Sequence, residues 1–255
     1  MSFFDKVKAG VGIGNAKVDT QVKEVNVRQG GLVTGDVVIK GGAVEQQINA
    51  ITLSVETSVV VEQDDRKYQQ DLQIQRVKVS DALTIGPKEE KIVPFSFALS
   101  YEAPITVSKS KVWIDTVLDV PFAIDPKDKD YLEVAGIQAA ETILAAIEQL
   151  GFTLKSATNI KSRQTKSGLV QEFEFYPGTD FKKHFSELEL IFLSDAKGTT
   201  VYIEMDHKAK GLGGLLAQAL DMDESRLSIH FEKREASSVS EVARQLRELL
   251  LNNAR

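Results

Sequence analysis

Apolar and polar residues alternate through most of the first 120 positions, and this pattern predicts strands. Strand side chains point alternately to two faces, so an apolar residue at every second position marks a half-buried strand. Ala16, Val18, Thr20 and Val22 hold one parity and Val25 and Val27 the other, which predicts a bend or bulge near Lys23. After a turn at "RQGG" (28–31), "VTGDVVIK" (33–40) reads as a strand. The strongest alternation is Ile51, Leu53, Val55, Thr57, Val59 and Val61, with Thr52, Ser54, Glu56 and Ser58 between. "EQDDRKYQQD" (62–71) is polar throughout and reads as a hairpin loop, from which "LQIQRVKV" (72–79) returns. "VPFSFALSYEAPIT" (93–106) sets Val93, Phe95, Phe97 and Leu99 on one face. Its Pro94 lacks an N–H and belongs at a strand start or on an edge. "KVWIDTVLDV" (111–120) alternates through Val112, Ile114, Thr116, Leu118 and Val120. Roughly seven strands, with turns between them and no helical period, predict an antiparallel β-sandwich.

The period changes at "DPKDKDYLEVAGIQAAETILAAIEQLGF" (125–152). Leu132, Ala135, Ala139, Ile143, Ile147 and Leu150 recur at spacings of three and four, predicting a helix over about 130–150. Asp130 with Glu133 reads as its capping box and Gly151 as its terminating glycine. The charged, proline-bearing lead-in marks a domain boundary, dividing the chain into residues 1–126 and 127–255. Strand patterns resume at "LVQEFEFYP" (169–177), "ELELIFL" (187–193), "TTVYIEM" (199–205) and "RLSIHFE" (226–232). In the first of these, Leu169, Gln171, Phe173 and Phe175 share a face, and Glu172 and Glu174 are expected on the wet side. Ser238 and Glu241 open a terminal helix over about 238–252, striped by Val239, Val242, Leu246, Leu249 and Leu250. The predicted fold is mainly β: an N-terminal antiparallel sandwich and a second, mainly β domain carrying helices at both ends.

Composition narrows the function. The 255 residues are 42 % apolar and 27 % charged, ordinary usage for a globular chain, and none is cysteine. Disulfides, thiolate metal sites and a thiol nucleophile are therefore excluded. The net charge of −6 is spread evenly: residues 1–125 carry 14 basic and 17 acidic side chains, residues 126–255 carry 17 and 20. Neither half offers the basic excess that nucleic acid demands, so no nucleic-acid partner is expected. No stretch is long and apolar enough for a membrane span. "MSFFDKVKAG" lacks the apolar core of a secretory signal, and its one short apolar side gives no expectation of membrane contact.

Candidate chemistry is sparse. Gly10, Gly12 and Gly14 alternate, but a strand pattern follows them where a phosphate loop would need a helix. His184, His207 and His230 are too far apart for a metal pair on one element, and no nucleophile elbow accompanies them. "DMDES" (221–225) lacks the glycine and distal glutamate of a calcium loop. No catalytic, cofactor or metal residue is assigned. The segment "MDHKAKGLGGLLAQALDMDES" (205–225) is open to two readings. One is a plain strand-to-helix connection with a buried leucine face. The other is a docking loop in which His207, Lys208 and Lys210, ahead of a helix start that disfavours cations, wait for an acidic partner.

"MSFFDKV…VGIGNAKVDT", "VPFSFALSYEAPIT", "VQEFEFYP" and "HKAKGLGGLLAQALDMDES" together resemble the bacterial sporulation-control proteins of the stage-zero M family, over nearly the whole chain. "PFSF" with its proline turn is also similar to the N-terminal sandwich of arrestins. The resemblance implies an arrestin-like fold and a cytoplasmic, non-enzymatic regulator that acts through protein contacts and needs no cofactor. The competing expectation is a small-ligand carrier or enzyme with its site in a cleft between the domains. Exposed strand edges leave a homodimer open.

Overall fold

The computed structural model describes residues 16–63, 66–121, 127–163, 165–206, 227–232 and 238–253. The chain crosses between two sheets at the point where the alternation breaks. Strand β1 (Lys17–Val22) pairs antiparallel with β3 (Leu32–Lys40), which pairs in turn with β8 (Glu90–Ala98). Strand β2 (Asn26–Arg28) lies instead in the large sheet, parallel to β10 (Lys127–Ala135). The parity switch near Lys23 is thus a change of sheet rather than a bulge. Pro94 sits opposite Asp36 on β8, the edge of the three-stranded sheet, where its missing donor breaks no ladder.

Among the described residues the large sheet holds ten strands. Its core is β5 (Ala50–Gln63), which pairs along one side with β6 (Arg66–Ser80). Along the other side β5 pairs first with β9 (Val112–Asp119) and then with β11 (Thr153–Lys161). β10 follows β9, with β2 beyond it, while β12 (Leu169–Tyr176), β13 (Glu187–Ser194), β14 (Gly198–Asp206) and β15 (Ser228–Glu232) continue from β11. A short ladder of β4 (Gln46–Ile48) with β7 (Leu83–Ile85) completes the N-terminal half.

Two cores result. The three-stranded sheet packs on β5, β9 and β10 through Val33, Val37, Ile39, Phe95, Leu53 and Ile114, all buried. The second core lies between β12–β15 and two helices, α1 (Gln138–Gln149) and α2 (Val239–Asn253). Ile143 and Ile147 of α1 and Leu246 and Leu250 of α2 are fully buried against Phe173, Phe175 and Leu190. Each such side chain contributes roughly 1.5–3 kcal/mol of apolar burial. The arrangement is the expected mainly β, arrestin-like architecture. α2 begins where the capping pattern placed it: the Glu241 N–H donates to Ser238 Oγ at 3.4 Å.

Two sequence expectations require correction here. The polar run 62–71 is not a loop, because Arg66–Asp71 continue β6, in register with Ser58–Gln63 of β5. Those β6 residues are exposed, so nothing apolar was needed to hold the hairpin extended. The linking helix does not begin at Asp130. Residues 127–135 are β10, whose Leu132 and Val134 enter the first core, and α1 starts only after Gly136 and Ile137. Leu132 and Ala135 fit a helical stripe, but Asp128, Asp130, Leu132 and Val134 fit a strand equally, and pairing with β9 and β2 decides it. The true start is held by Glu141, whose carboxylate accepts the Gly136 N–H at 2.7 Å. Gly151 ends α1 with φ +85°, as a terminating glycine should.

Candidate interaction surfaces

The cleft expected between the halves exists. A groove of about 620 Å³ runs between β2–β10 and α1, floored by Val27, Ile105, Leu144 and Phe175 and rimmed by Glu133 and Glu148. Several of its polar groups serve the junction itself. Arg28 Nη1 donates to the Gly136 carbonyl at 2.5 Å, Thr106 Oγ1 donates to Glu133 at 3.1 Å, and Glu141 caps α1. A second set of buried bonds fastens the halves. Gln171 accepts the Ile105 N–H and donates to its carbonyl, both at 2.8 Å. Asn159 Nδ2 donates to Thr57 Oγ1 at 2.9 Å, and Thr57 Oγ1 donates to the Lys111 carbonyl at 2.7 Å. Buried polar groups remain buried only when bonded in this way, so these residues fix the geometry of the seam.

Between the two sheets of the N-terminal half lies a small acidic cluster. The Thr20 N–H donates to Asp128 Oδ2 at 2.6 Å, and Thr20 Oγ1 and Thr116 Oγ1 share a hydrogen bond of 2.7 Å. Burial, together with the charges of Asp128 and Asp19, pushes the neighbouring Asp130 carboxyl up to about 6.

The second half carries a larger one. Glu174, Glu189 and Glu204 stand side by side across β12, β13 and β14, and Glu187 pairs with Asp206 in the adjoining row. Lys155 from β11 answers them: its Nζ is hydrogen-bonded to Glu187 at 2.7 Å and ion-paired with Glu174 at 3.0 Å. Burial opposes the ammonium charge, but these two partners outweigh it and raise the lysine pKa. Glu189 is pushed up to about 7, first by burial and then by Glu204, Glu174, Asp206 and Glu187. This corrects the wet-side expectation. Glu172 and Glu174 are 1 % and 5 % exposed, because neighbouring side chains cover this face of β12, Lys155 at 3.0 Å from Glu174 among them.

The third feature is an edge. β6 runs 15 residues beside β5, and among the described residues no second strand forms a ladder with it, although Gln75 Nε2 reaches the Ala98 carbonyl at the end of β8 at 2.9 Å.

His207, Lys208 and Lys210, the docking candidates, lie outside the described residues, as do Gly10, Gly12, Gly14 and the 221–225 stretch. His184 is half-buried in a turn, and His230 is exposed on β15, its Nδ1 3.0 Å from Thr200 Oγ1. Among the described residues no group of three or more His, Cys, Asp or Glu could hold a metal ion, and no helix is long and apolar enough to cross a membrane. Sequence reading missed Lys155, Asn159 and the role of Gln171. A usable signal existed for Gln171: a polar residue at an apolar-parity position of a strand has to find a buried partner.

Comparison with known proteins gives one consistent result. The family described as SpoOM protein matches residues 4–209. The sporulation-control protein spo0M of Bacillus subtilis (strain 168) is 38 % identical over 253 residues, covering 98 % of each chain. The crystal structure of Spo0M, sporulation control protein, from Bacillus subtilis superposes with a TM-score of 0.88 at 36 % identity, covering 94 % of this chain and 99 % of that one. The match in sequence and in fold along almost the full length establishes that the chain belongs to the SpoOM protein family.

Proposed function

We propose that this protein is a non-enzymatic regulatory scaffold of the cytoplasm that works by binding other proteins along its open sheet edges. Its Bacillus subtilis relative is named a sporulation-control protein, which supports a regulatory role for this chain. The observation that carries the contact mechanism is β6, whose stretch Arg66–Gln73 forms a ladder with β5 and with no second strand among the described residues. A free edge is a template for a partner strand. The test is crosslinking mass spectrometry in the native organism with the full chain as bait. Reproducible crosslinks from one or a few proteins to the sheet edges are expected. Their absence at every crosslinker length overturns the reading.

The groove supports the competing reading, a small ligand held between the halves. Glu133, Glu141 and Arg28 are already engaged within the junction, which leaves few polar groups to orient a substrate. A thermal-shift screen against a metabolite library is expected to leave the melting temperature unchanged. A reproducible rise abolished by Leu144→Glu in the groove floor would favour the ligand.

A further inference from the structure

The groove between the halves points to a different kind of contact: we infer that it receives an amphipathic helix of a partner protein, apolar along one side and basic along its flanks. The inference goes beyond the scaffold reading, which places partners on sheet edges, and it is tested separately.

The floor calls for an apolar occupant. Val27, Ile105, Leu144 and Phe175 line it, and Ile105 and Phe175 belong to the second core, so the groove opens onto that core. One wall is α1. Its residues Glu141, Leu144, Ala145 and Glu148 follow one another at spacings of three, four and seven from the first, share one helical face, and all line the groove. The same helix packs against α2 within the second core, so a helix laid along its groove face adds a third to an existing pair. Ala145 carries no side chain beyond its Cβ, which lets two helix axes approach to about 8–10 Å.

Charge makes that occupant basic. Glu141 and Glu148 stand on the α1 wall and Glu133 on the β10 wall, against one lining cation, Arg28. The hydrogen-bond donors to these acids are neutral: the Thr106 hydroxyl reaches Glu133 at 3.1 Å and the Gly136 N–H reaches Glu141 at 2.7 Å, which leaves both carboxylate charges in place. Arg28 spends its guanidinium on the Gly136 carbonyl, and among the described residues none of the four makes an ion pair with another charged group. Glu148 adds a second signal. It lies in the last turn of α1, where the helix dipole is already negative and no basic residue offsets it. An arriving cation answers the carboxylate and the dipole together. Lys111 sits in the adjoining hollow beyond Glu133, 5.7 Å from the Tyr131 ring centre, so the acidic stretch is the part between Glu133 and Glu148. Glu141 and Glu148 are about 10.5 Å apart along the helix axis, so lysines or arginines seven residues apart on the incoming helix meet both. A small cation answers only one of them, and an anionic membrane or nucleic acid is repelled.

The test uses four fluorescently labelled helix-forming peptides, titrated against the full chain by anisotropy. Three share a stripe of leucine and alanine at helical spacing and carry lysine, glutamine or glutamate at two flanking positions seven apart. The fourth has the composition of the lysine peptide in an order that forms no stripe, the control for a chain whose net charge of −6 attracts any cation. The striped lysine peptide is expected to bind at least about tenfold tighter than the glutamine and unstriped peptides at low salt, and to lose its margin over glutamine in 0.5 M salt, as screened surface charges must. The glutamate peptide should not bind. Hydrogen exchange should show new protection in β2, β10 and α1. The exposed double variant Glu133→Gln/Glu148→Gln should bring the lysine peptide down to the affinity of the glutamine one, whereas Glu62→Gln/Glu90→Gln, exposed and outside the groove, should change it less than twofold. The fold of both variants is checked by the fluorescence of Trp113, the single tryptophan. Equal binding of the striped and unstriped lysine peptides, an unaltered margin in the Glu133/Glu148 variant, or protection elsewhere overturns the assignment. So does a dimer that buries the groove and excludes the peptide, since the groove would then belong to a second copy. If crosslinking finds partners on the sheet edges but the lysine peptide protects nothing in the groove, this inference fails and the scaffold reading stands. If the peptide docks in the groove but no partner is ever crosslinked, the groove assignment stands and the scaffold reading fails.

Discussion

Replacing Lys155 with methionine isolates what one cation does for the acidic face of the second half. Methionine keeps most of the aliphatic stem and removes only the charge. The ammonium sits 2.7 Å from Glu187 and 3.0 Å from Glu174, whose side chains are 7 % and 6 % exposed, while its own is 24 % exposed. Two unit charges at such a separation attract by several kcal/mol at an effective dielectric of about 20, and much of that offsets their desolvation. The larger effect of the substitution is what remains: two buried carboxylates facing Glu189 with no counter-charge. Breaking a buried ion pair by removing one partner costs about 3–5 kcal/mol, and the partial exposure of Lys155 puts the expected loss near the lower end, about 3 kcal/mol. For a chain of this size that lowers the melting temperature by about 6–12 °C. The penalty should depend on pH, because it arises from carboxylate charge. Protonation of the orphaned acids in the folded variant relieves it, so the loss should be full at pH 8 and much smaller at pH 5. Calorimetric melts of wild type and variant at both pH values measure this directly. Adding Glu174→Gln and Glu187→Gln to the variant should restore more than half of the lost stability at pH 8. A drop of under about 2 °C at pH 8 would refute the reasoning, and an equal drop at both pH values would assign the effect to packing.

The remaining predictions concern the inter-sheet acids, the seam and one strand crossing. Asp130 has its folded pKa raised to about 6 from 3.8, so its neutral form favours folding below about pH 4, and that advantage is lost as pH rises through 6. Asp130→Asn should therefore stabilise the protein at pH 8 by about 1 kcal/mol, after discounting for its partial exposure, and leave it unchanged near pH 4, as read from urea midpoints. Gln171→Leu leaves the Ile105 N–H and carbonyl without their 2.8 Å partners and should cost about 2–4 kcal/mol; a loss under 1 kcal/mol would show that the seam does not depend on it. Gly35→Ala places a Cβ 2.4 Å from the Gln21 carbonyl and 2.5 Å from the Phe95 ring, forcing β1 and the ring apart, and should cost about 2–3 kcal/mol in chemical denaturation.

Strand periodicity carried most of the fold because one face of nearly every strand is buried. Ile51, Leu53, Val55 and Val59 are all fully buried, as their shared parity requires. The errors fall where that rule has no purchase. Arg66–Asp71 are polar on both faces because the hairpin extends exposed residues, and a polar run carries no periodic signal whether it is strand or loop. Residues 127–135 satisfy both periods, and only the ladder with β9 and β2, remote in sequence, chooses between them. Glu172 and Glu174 alternate correctly yet are buried, since alternation reports a face and not what covers it. The informative exceptions are Thr20, Thr57, Thr116 and Gln171. Each is a polar residue at an apolar-parity position, each is buried, and each takes part in a hydrogen bond between sheets or between halves, Thr57 by accepting from Asn159.

These exceptions show how the two cores are joined. A purely apolar seam would tolerate sliding, because dispersion and area burial are not directional. The bonds of Thr57, Asn159 and Gln171 are directional, and each would leave a buried group unsatisfied if the halves shifted. β5 is the common element. It supplies Thr57 to the seam, Val60 to the junction with β11, and its whole opposite side to β6. A strand that docks on β6 therefore adds to the sheet one position away from the strand that ties both cores together. Such an addition should slow exchange of the β5 amides as well as those of β6, whereas a ligand seated in the groove would protect β10 and α1 and leave β5 unchanged.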